Sequence, residues 1–116
     1  MANKVLSEKS LLFAKRIIKL SNYLIERKEY IISKQVVRSG TSIGANIAES
    51  EYAQSKKDLV NKYQIALKEA NETKYWLKLL ENDYLEHNLY LDLVKDVEEL
   101  MKILISSINK LKKSIK

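Results

Sequence analysis

Side chains that could carry out catalysis are scarce in this 116-residue sequence. It has one histidine, His87, and no cysteine, so it lacks both a thiolate nucleophile and a cysteine-ligated metal site. Di-metal sites in helical bundles need two Glu-x-x-His pairs, and no H-E-x-x-H, P-loop or G-x-S-x-G pattern occurs. His87 lies in the polar segment 85–88, where a solvated side chain is expected. We therefore predict a protein that is not an enzyme and uses no metal or cofactor.

Basic side chains offer a second kind of chemistry, because Lys and Arg contact the phosphates of nucleic acids. The formal net charge is +6, with +7 over residues 1–68, −6 over 69–99 and +5 over 100–116. The alternative interpretation is that these are ordinary solvated lysines on helix surfaces. The candidate nucleic-acid-binding residues are Lys15, Arg16, Lys19, Arg27, Lys28, Lys34 and Arg38, followed by Lys56 and Lys57. A candidate flexible basic tail contains Lys110, Lys112, Lys113 and Lys116.

A third set of polar residues lies in the predicted second helix. Gly40 and Gly44 form a G-x-x-x-G pair there. Each glycine weakens a helix by roughly 1 kcal/mol relative to alanine, so close approach of a neighbouring backbone is the expected compensation. We predict that the polar residues around this pair are structural, and that two of them bond to a neighbouring helix, cap or chain. The structural set is Ser39, Ser42, Asn46 and Glu49, with Asn46 and Glu49 as the bonding residues.

The composition indicates which elements must position these residues. The chain has no Pro, two Gly, 46% apolar residues and 31% charged residues, which favours long helices and argues against a turn-rich β-sandwich. Its length fits a single domain, residues 1–116. Lys or Arg interrupts every hydrophobic run, including the N-terminal one at Lys15 and Arg16. We therefore expect no membrane span, no signal peptide and a cytoplasmic location.

Apolar residues recur at intervals of three and four, which predicts four helices. The first covers about residues 4–27 and the second about 31–52; the third follows an N-cap at Ser55, and the fourth follows a cap at Asn88. Alternating spacings joined by short loops predict an all-α, up-down-up-down antiparallel four-helix bundle. The predicted core positions are Leu6, Phe13, Ile17, Leu20 and Leu24; Ile32, Val36, Ile43 and Ile47; Leu59, Tyr63, Ala66, Ala70, Thr73, Leu77, Leu80 and Tyr84; and Tyr90, Val94, Val97, Met101, Leu104, Ile108, Leu111 and Ile115.

Apolar residues also lie outside these core positions. On the first helix, Leu11, Ile18 and Ile25 recur every seven residues, and we call them the outer stripe. Either they broaden one core, or they form an interface between subunits, since exposed apolar patches mark association surfaces. We favour the interface and predict a homo-oligomer. The corresponding residues of the third and fourth helices are Ile65, Tyr75, Trp76, Leu79, Leu93, Leu100 and Ile103.

Several segments resemble a known family. The segment Arg38–Glu49, with the sequence RSGTSIGANIAE, resembles the signature of small bacterial four-helix bundle proteins encoded by intervening sequences of 23S ribosomal RNA genes. Segments 55–59 and 65–77 are similar to the family's third helix, whereas Ser50 stands where the family usually has Gly. The resemblance implies a homopentamer. It also implies a relation to the accessory variability protein of diversity-generating retroelements, which binds nucleic acid and a reverse transcriptase.

Two functions are compatible with these observations. The first is an oligomeric accessory protein that binds RNA or DNA through phosphate contacts, without reading the base sequence. The second is an oligomeric protein–protein adaptor whose positive charge is incidental. We favour the first because the basic residues cluster along the chain. Convergence of those residues on one face of the assembly would distinguish the two.

Overall fold

The computed structural model describes residues 3–115, and over this range the chain forms four long helices. They are α1 (Lys4–Glu26), α2 (Tyr30–Ser50), α3 (Lys56–Leu80) and α4 (His87–Lys113). Each helix packs against the next, and α1 also contacts α4, which closes the bundle. The short connections make consecutive helices antiparallel, and the bundle measures 49 × 21 × 20 Å. This architecture confirms the predicted four-helix bundle. Helices long and apolar enough to cross a membrane are absent from the described residues.

Local capping residues determine where the helices begin. The Ser55 side chain accepts a hydrogen bond of 3.0 Å from the Asp58 amide, as the sequence predicts. The predicted cap at Asn88 is wrong, because α4 already begins at His87 after an N-cap at Glu86. The reason lies in the preceding turn, where Leu85 is buried and its amide bonds to the Leu80 carbonyl. The chain therefore enters α4 directly behind this anchored residue.

The core contains the predicted apolar positions of α1, including Leu6, Phe13 and Ile17, all of which are buried. The prediction for α4 needs correction: Leu93 and Leu100 are buried in the core rather than available for an interface. This helix contacts both α1 and α3, so its buried face is rotated toward α1 relative to the predicted stripe. The residues left half-buried as a result are Tyr90, Val94, Met101 and Leu111.

Small residues allow α1 and α2 to approach closely. A Cβ atom placed on Gly40 would lie 2.8 Å from Cγ2 and 3.0 Å from Cγ1 of Ile17, a fully buried side chain. One turn along, a Cβ on Gly44 would meet Ser10 at an ordinary 3.5 Å. The two glycines of the G-x-x-x-G pair therefore have different roles, and only Gly40 is required by the packing.

We expect Gly40→Ala to destabilise the fold by about 1–2 kcal/mol, because the β-branched Ile17 side chain cannot move aside without strain. Gly44→Ala should leave stability unchanged or raise it by up to about 1 kcal/mol, because alanine is the better helix former and the space exists. Urea unfolding of both variants, followed by circular dichroism, measures the difference. Equal effects of the two substitutions would contradict this account of the α1–α2 contact.

Candidate nucleic-acid interface

The predicted basic residue Arg38 takes part in a charged network between α2 and α3. Its guanidinium pairs with the Glu72 carboxylate and lies 3.4 Å from a Glu69 carboxylate oxygen. The indole nitrogen of Trp76 donates a 2.9 Å hydrogen bond to Glu72. Arg38 is thus bound to two carboxylates of its own chain, and a phosphate would have to compete with them. Its position fits a structural role better than the predicted nucleic-acid contact.

Two members of the predicted structural set contact α3. The Ser39 and Thr73 hydroxyl oxygens are 2.8 Å apart, and both residues are fully buried. Nearer the end of α2, Glu49 pairs with Lys62 at 3.2 Å. The buried hydroxyl pair and the ion pair both lie in the antiparallel α2–α3 contact.

The other two members, Ser42 and Asn46, bond within α2 itself. The Asn46 amide donates a 2.8 Å hydrogen bond to the Ser42 carbonyl, and the Ser42 hydroxyl donates to the Arg38 carbonyl. Within this chain Asn46 therefore does not make the expected bond to a neighbouring helix. The other expected partner, another chain, stays a prediction. A carbonyl one turn earlier is always within reach of such a short side chain, and this local bond is the one it makes.

We expect Asn46→Ala to change the stability of the isolated subunit by no more than about 0.5 kcal/mol, because its bond is local and alanine is a better helix former. Thermal unfolding of dilute protein checks this value, with Thr73→Val as the matched control. Removing the buried Thr73 hydroxyl should cost about 1–2 kcal/mol, because the buried hydrogen bond that it donates to Ser39 would be lost. A larger loss for Asn46→Ala than for Thr73→Val would contradict this local role of Asn46.

Ion pairs also connect the basic side of α1 to the acidic first half of α4. Arg16 pairs with Asp96, and Lys9 lies 2.7 Å from Glu99. Hydrogen bonding and the charge of Lys9 lower the pKa of the Glu99 carboxyl, and Glu99 in turn raises the pKa of Lys9. These contacts place Arg16, like Arg38, in an intramolecular ion pair. Sequence reasoning missed this pairing because it depends on the register between helices that are distant in the chain.

Seven of the nine predicted basic residues remain exposed and form no ion pair with any described residue, and four of these are lysines of α1, α2 or the connection between them. We call these four lysines the free-lysine set. Two lie on α1, one lies in the α1–α2 connection with a φ of 62°, and one lies on the second turn of α2. The set consists of Lys15, Lys19, Lys28 and Lys34.

A second basic region lies at the opposite end of the bundle, where α3 begins and α4 ends. Lys56 and Lys110 line a shallow cavity of about 320 Å³ between these helices. Lys57 is exposed beside it, and the predicted tail residues Lys112 and Lys113 belong to the last turn of α4. The tail lysines are therefore helical, and Lys116 lies outside the described residues. The nine candidates consequently do not form one continuous surface on a single subunit.

Arg27 occupies a different environment from the other candidates. Its guanidinium carbon lies 5.6 Å from the centre of the Tyr23 ring and 5.4 Å from that of Tyr84. It also donates a 2.7 Å hydrogen bond to the Tyr23 hydroxyl. The sequence analysis placed Tyr84 in the core and did not consider Tyr23. The i, i+4 spacing of Tyr23 and Arg27 is the signal that could have identified half of this cluster.

The four packed helices and the charged side chains on their outer surfaces place this chain in the class of small helical-bundle proteins. A model of the 23S rRNA-intervening sequence protein family matches residues 3–106, so the chain belongs to that family. A solved structure from Bacteroides thetaiotaomicron VPI-5482, a protein of unknown function from the S23 ribosomal protein family, is 52% identical. The alignment covers 94% of this chain and 99% of that one, with a TM-score of 0.90. No curated protein matches the sequence.

Proposed function

We propose that the protein is a non-catalytic homo-oligomer that binds RNA or DNA through basic surface residues, as an accessory factor. The observation that supports this most strongly is the free-lysine set, because Lys15, Lys19, Lys28 and Lys34 are exposed and unpaired. Lysines in water contact phosphates without a fixed geometry and release counterions, which favours binding without sequence preference. Arg16 and Arg38 are excluded from this set because they pair with carboxylates of the same chain.

Exposure of the outer stripe supports the oligomer. Leu11, Ile18 and Ile25 are 57%, 45% and 47% exposed on a single helix. Leu11 also lines a shallow cavity of about 370 Å³ between α1 and α2, together with Gly44 and Ala48. Small residues beside large exposed ones suit a contact in which apolar side chains of another copy fill the groove. The number five comes from the family resemblance, and five subunits would have a summed charge of +30 from +6 each.

An adaptor function is the second candidate, because another surface is apolar. Ile31 on α2 is 78% exposed, and Tyr75 and Leu79 on α3 are 56% and 45% exposed. Aromatic residues beside an arginine are typical of protein-binding hot spots, and Trp76 and Arg38 lie in the same region. A protein partner such as the reverse transcriptase implied by the resemblance would dock there. The nucleic-acid and adaptor functions are compatible in one oligomer.

Filter binding tests the nucleic-acid proposal with a structured RNA, a duplex DNA and a scrambled version of each. We expect each probe and its scrambled version to bind with affinities within about threefold of each other, because phosphate contacts do not report the base sequence. Strong preference for one base sequence would contradict binding through charge alone. Light scattering coupled to size exclusion, on the same sample, reports whether the bound species is an oligomer.

A further inference from the structure

A groove between α1 and the start of α4 combines an apolar floor with aromatic walls and a basic rim. Its volume is about 490 Å³, within the range of about 300–1,000 Å³ typical of small-molecule sites. The floor consists of the buried side chains Leu20, Leu85 and Leu93. Tyr23 and Tyr84 form the walls, and Arg16 and Lys19 lie at the rim. The groove therefore suits a flat, apolar group attached to a negative charge.

Arg27 organises the aromatic walls. Its guanidinium lies over both tyrosine rings and donates a hydrogen bond to the Tyr23 hydroxyl, so the two rings and the cation form one cluster. Tyr23 is 43% exposed, and Leu89, which also lines the groove, is 41% exposed. Tyr23 and Leu89 are thus partly exposed to solvent beside a cavity that they do not fill. A ring entering the groove would contact both without displacing any core side chain.

The basic rim continues along α1 away from the tyrosines. Arg16 and Lys19 also line a neighbouring cavity of about 450 Å³, which extends toward Lys15. The acidic residues of this second cavity, Asp96 and Glu99, are paired with Arg16 and Lys9. Lys15 and Lys19 therefore remain for an external anion, and Glu86 is the acidic residue that lines the aromatic groove. The two cavities share Arg16 and Lys19 in their linings, so they adjoin along α1, and we call them together the track.

We propose that this track binds single-stranded RNA or DNA, with an unpaired base against Tyr23 and Tyr84 and the following phosphates on Lys19 and Lys15. The inference rests on the proposed function and specifies its substrate. Every base has a flat π face, so stacking on tyrosine or on the Arg27 guanidinium requires no particular sequence. Bases within a duplex are already stacked and paired, so they cannot enter the groove. Single strands thus gain a contact that duplexes lack.

The test compares Tyr23→Leu with wild-type protein in fluorescence-anisotropy titrations of an oligouridine and an oligothymidine of about 12 nucleotides. A DNA duplex of equal length is the second probe. Leucine retains the apolar surface but removes the π face, so we expect about tenfold weaker binding of both single strands and unchanged binding of the duplex. Tyr75→Leu is the matched control, because Tyr75 is 56% exposed on α3 and lies outside the groove. It should bind every probe as the wild type does.

Photo-crosslinking with 4-thiouridine in the oligouridine locates the base independently, and we expect adducts on the peptide that contains Tyr23 or Tyr84. Wild-type affinity of Tyr23→Leu for single strands, or equal losses for duplex and single strand, would overturn the inference and leave the proposed function standing. Failure of the wild-type protein to bind any probe would overturn both. A lower particle mass for Tyr23→Leu would identify the groove as an interface between copies instead.

Discussion

Replacing Leu11, Ile18 and Ile25 with Glu is expected to convert the proposed homo-oligomer into single subunits of 13.5 kDa. Burying a side chain of this size stabilises an interface by about 1.5–3 kcal/mol, and that gain is lost at three positions in every subunit. A carboxylate without a partner in an apolar contact adds a further penalty. The residues are 45–57% exposed in the subunit, so the bundle itself should remain folded.

Light scattering coupled to size exclusion measures the mass, and circular dichroism confirms that the helices are intact. The matched control replaces Leu79, Leu91 and Ile105 with Glu, because these residues are 45–48% exposed on α3 and α4. The control should retain the wild-type mass. If the control variant dissociated and the outer-stripe variant did not, the interface would lie on α3 and α4, which would contradict our assignment.

Reversing the charge of the free-lysine set should nearly abolish nucleic-acid binding. Each Lys→Glu change removes two units of charge, so changing Lys15, Lys19, Lys28 and Lys34 lowers the net charge of a subunit from +6 to −2. We expect affinity to fall on the order of 100-fold at about 50 mM salt, for every probe alike, because phosphate contacts and counterion release are lost together. Filter binding measures this loss.

A control variant with the same net charge distinguishes the effect of this particular surface from the effect of the overall charge. Changing Lys68, Lys78, Lys95 and Lys102 to Glu also lowers the net charge to −2, and these exposed lysines lie on α3 and α4. It should weaken binding far less than reversal of the free-lysine set. Equal losses in the two variants would show that binding depends on overall charge and not on this surface.

The features predicted well from the sequence are those fixed by neighbouring residues. The Ser55 cap is set by Asp58 three residues later, and the core of α1 follows from the spacing of Leu6, Phe13 and Ile17. In α4, by contrast, two overlapping apolar stripes share Val97. The choice between them depends on how the helix rotates against α1 and α3, which sequence periodicity does not specify.

Predictions about the candidate site were limited because they too depend on how the helices pack against one another. Whether a basic residue is free depends on the carboxylate that the bundle places opposite it. Arg16 meets Asp96 and Arg38 meets Glu72 because antiparallel packing aligns residues that are 80 and 34 positions apart in the chain. In the sequence, Lys15 and Lys19 are basic residues like Arg16 and Arg38, but no carboxylate among the described residues pairs with them. Which of the nine candidates are paired with a carboxylate thus depends on the tertiary register of the helices, and no local sequence pattern encodes that register.

The salt dependence of binding tests the central claim most directly. Wild-type protein, with its oligomeric mass established in the same sample, is titrated with a structured RNA and a duplex DNA at salt concentrations from about 50 to 200 mM. We predict tight binding at the lower salt and a linear fall of log affinity with log salt, steeper than about −3 for four or more neutralised phosphates. Absence of binding at about 50 mM salt by an intact oligomer would contradict the account and favour the adaptor function.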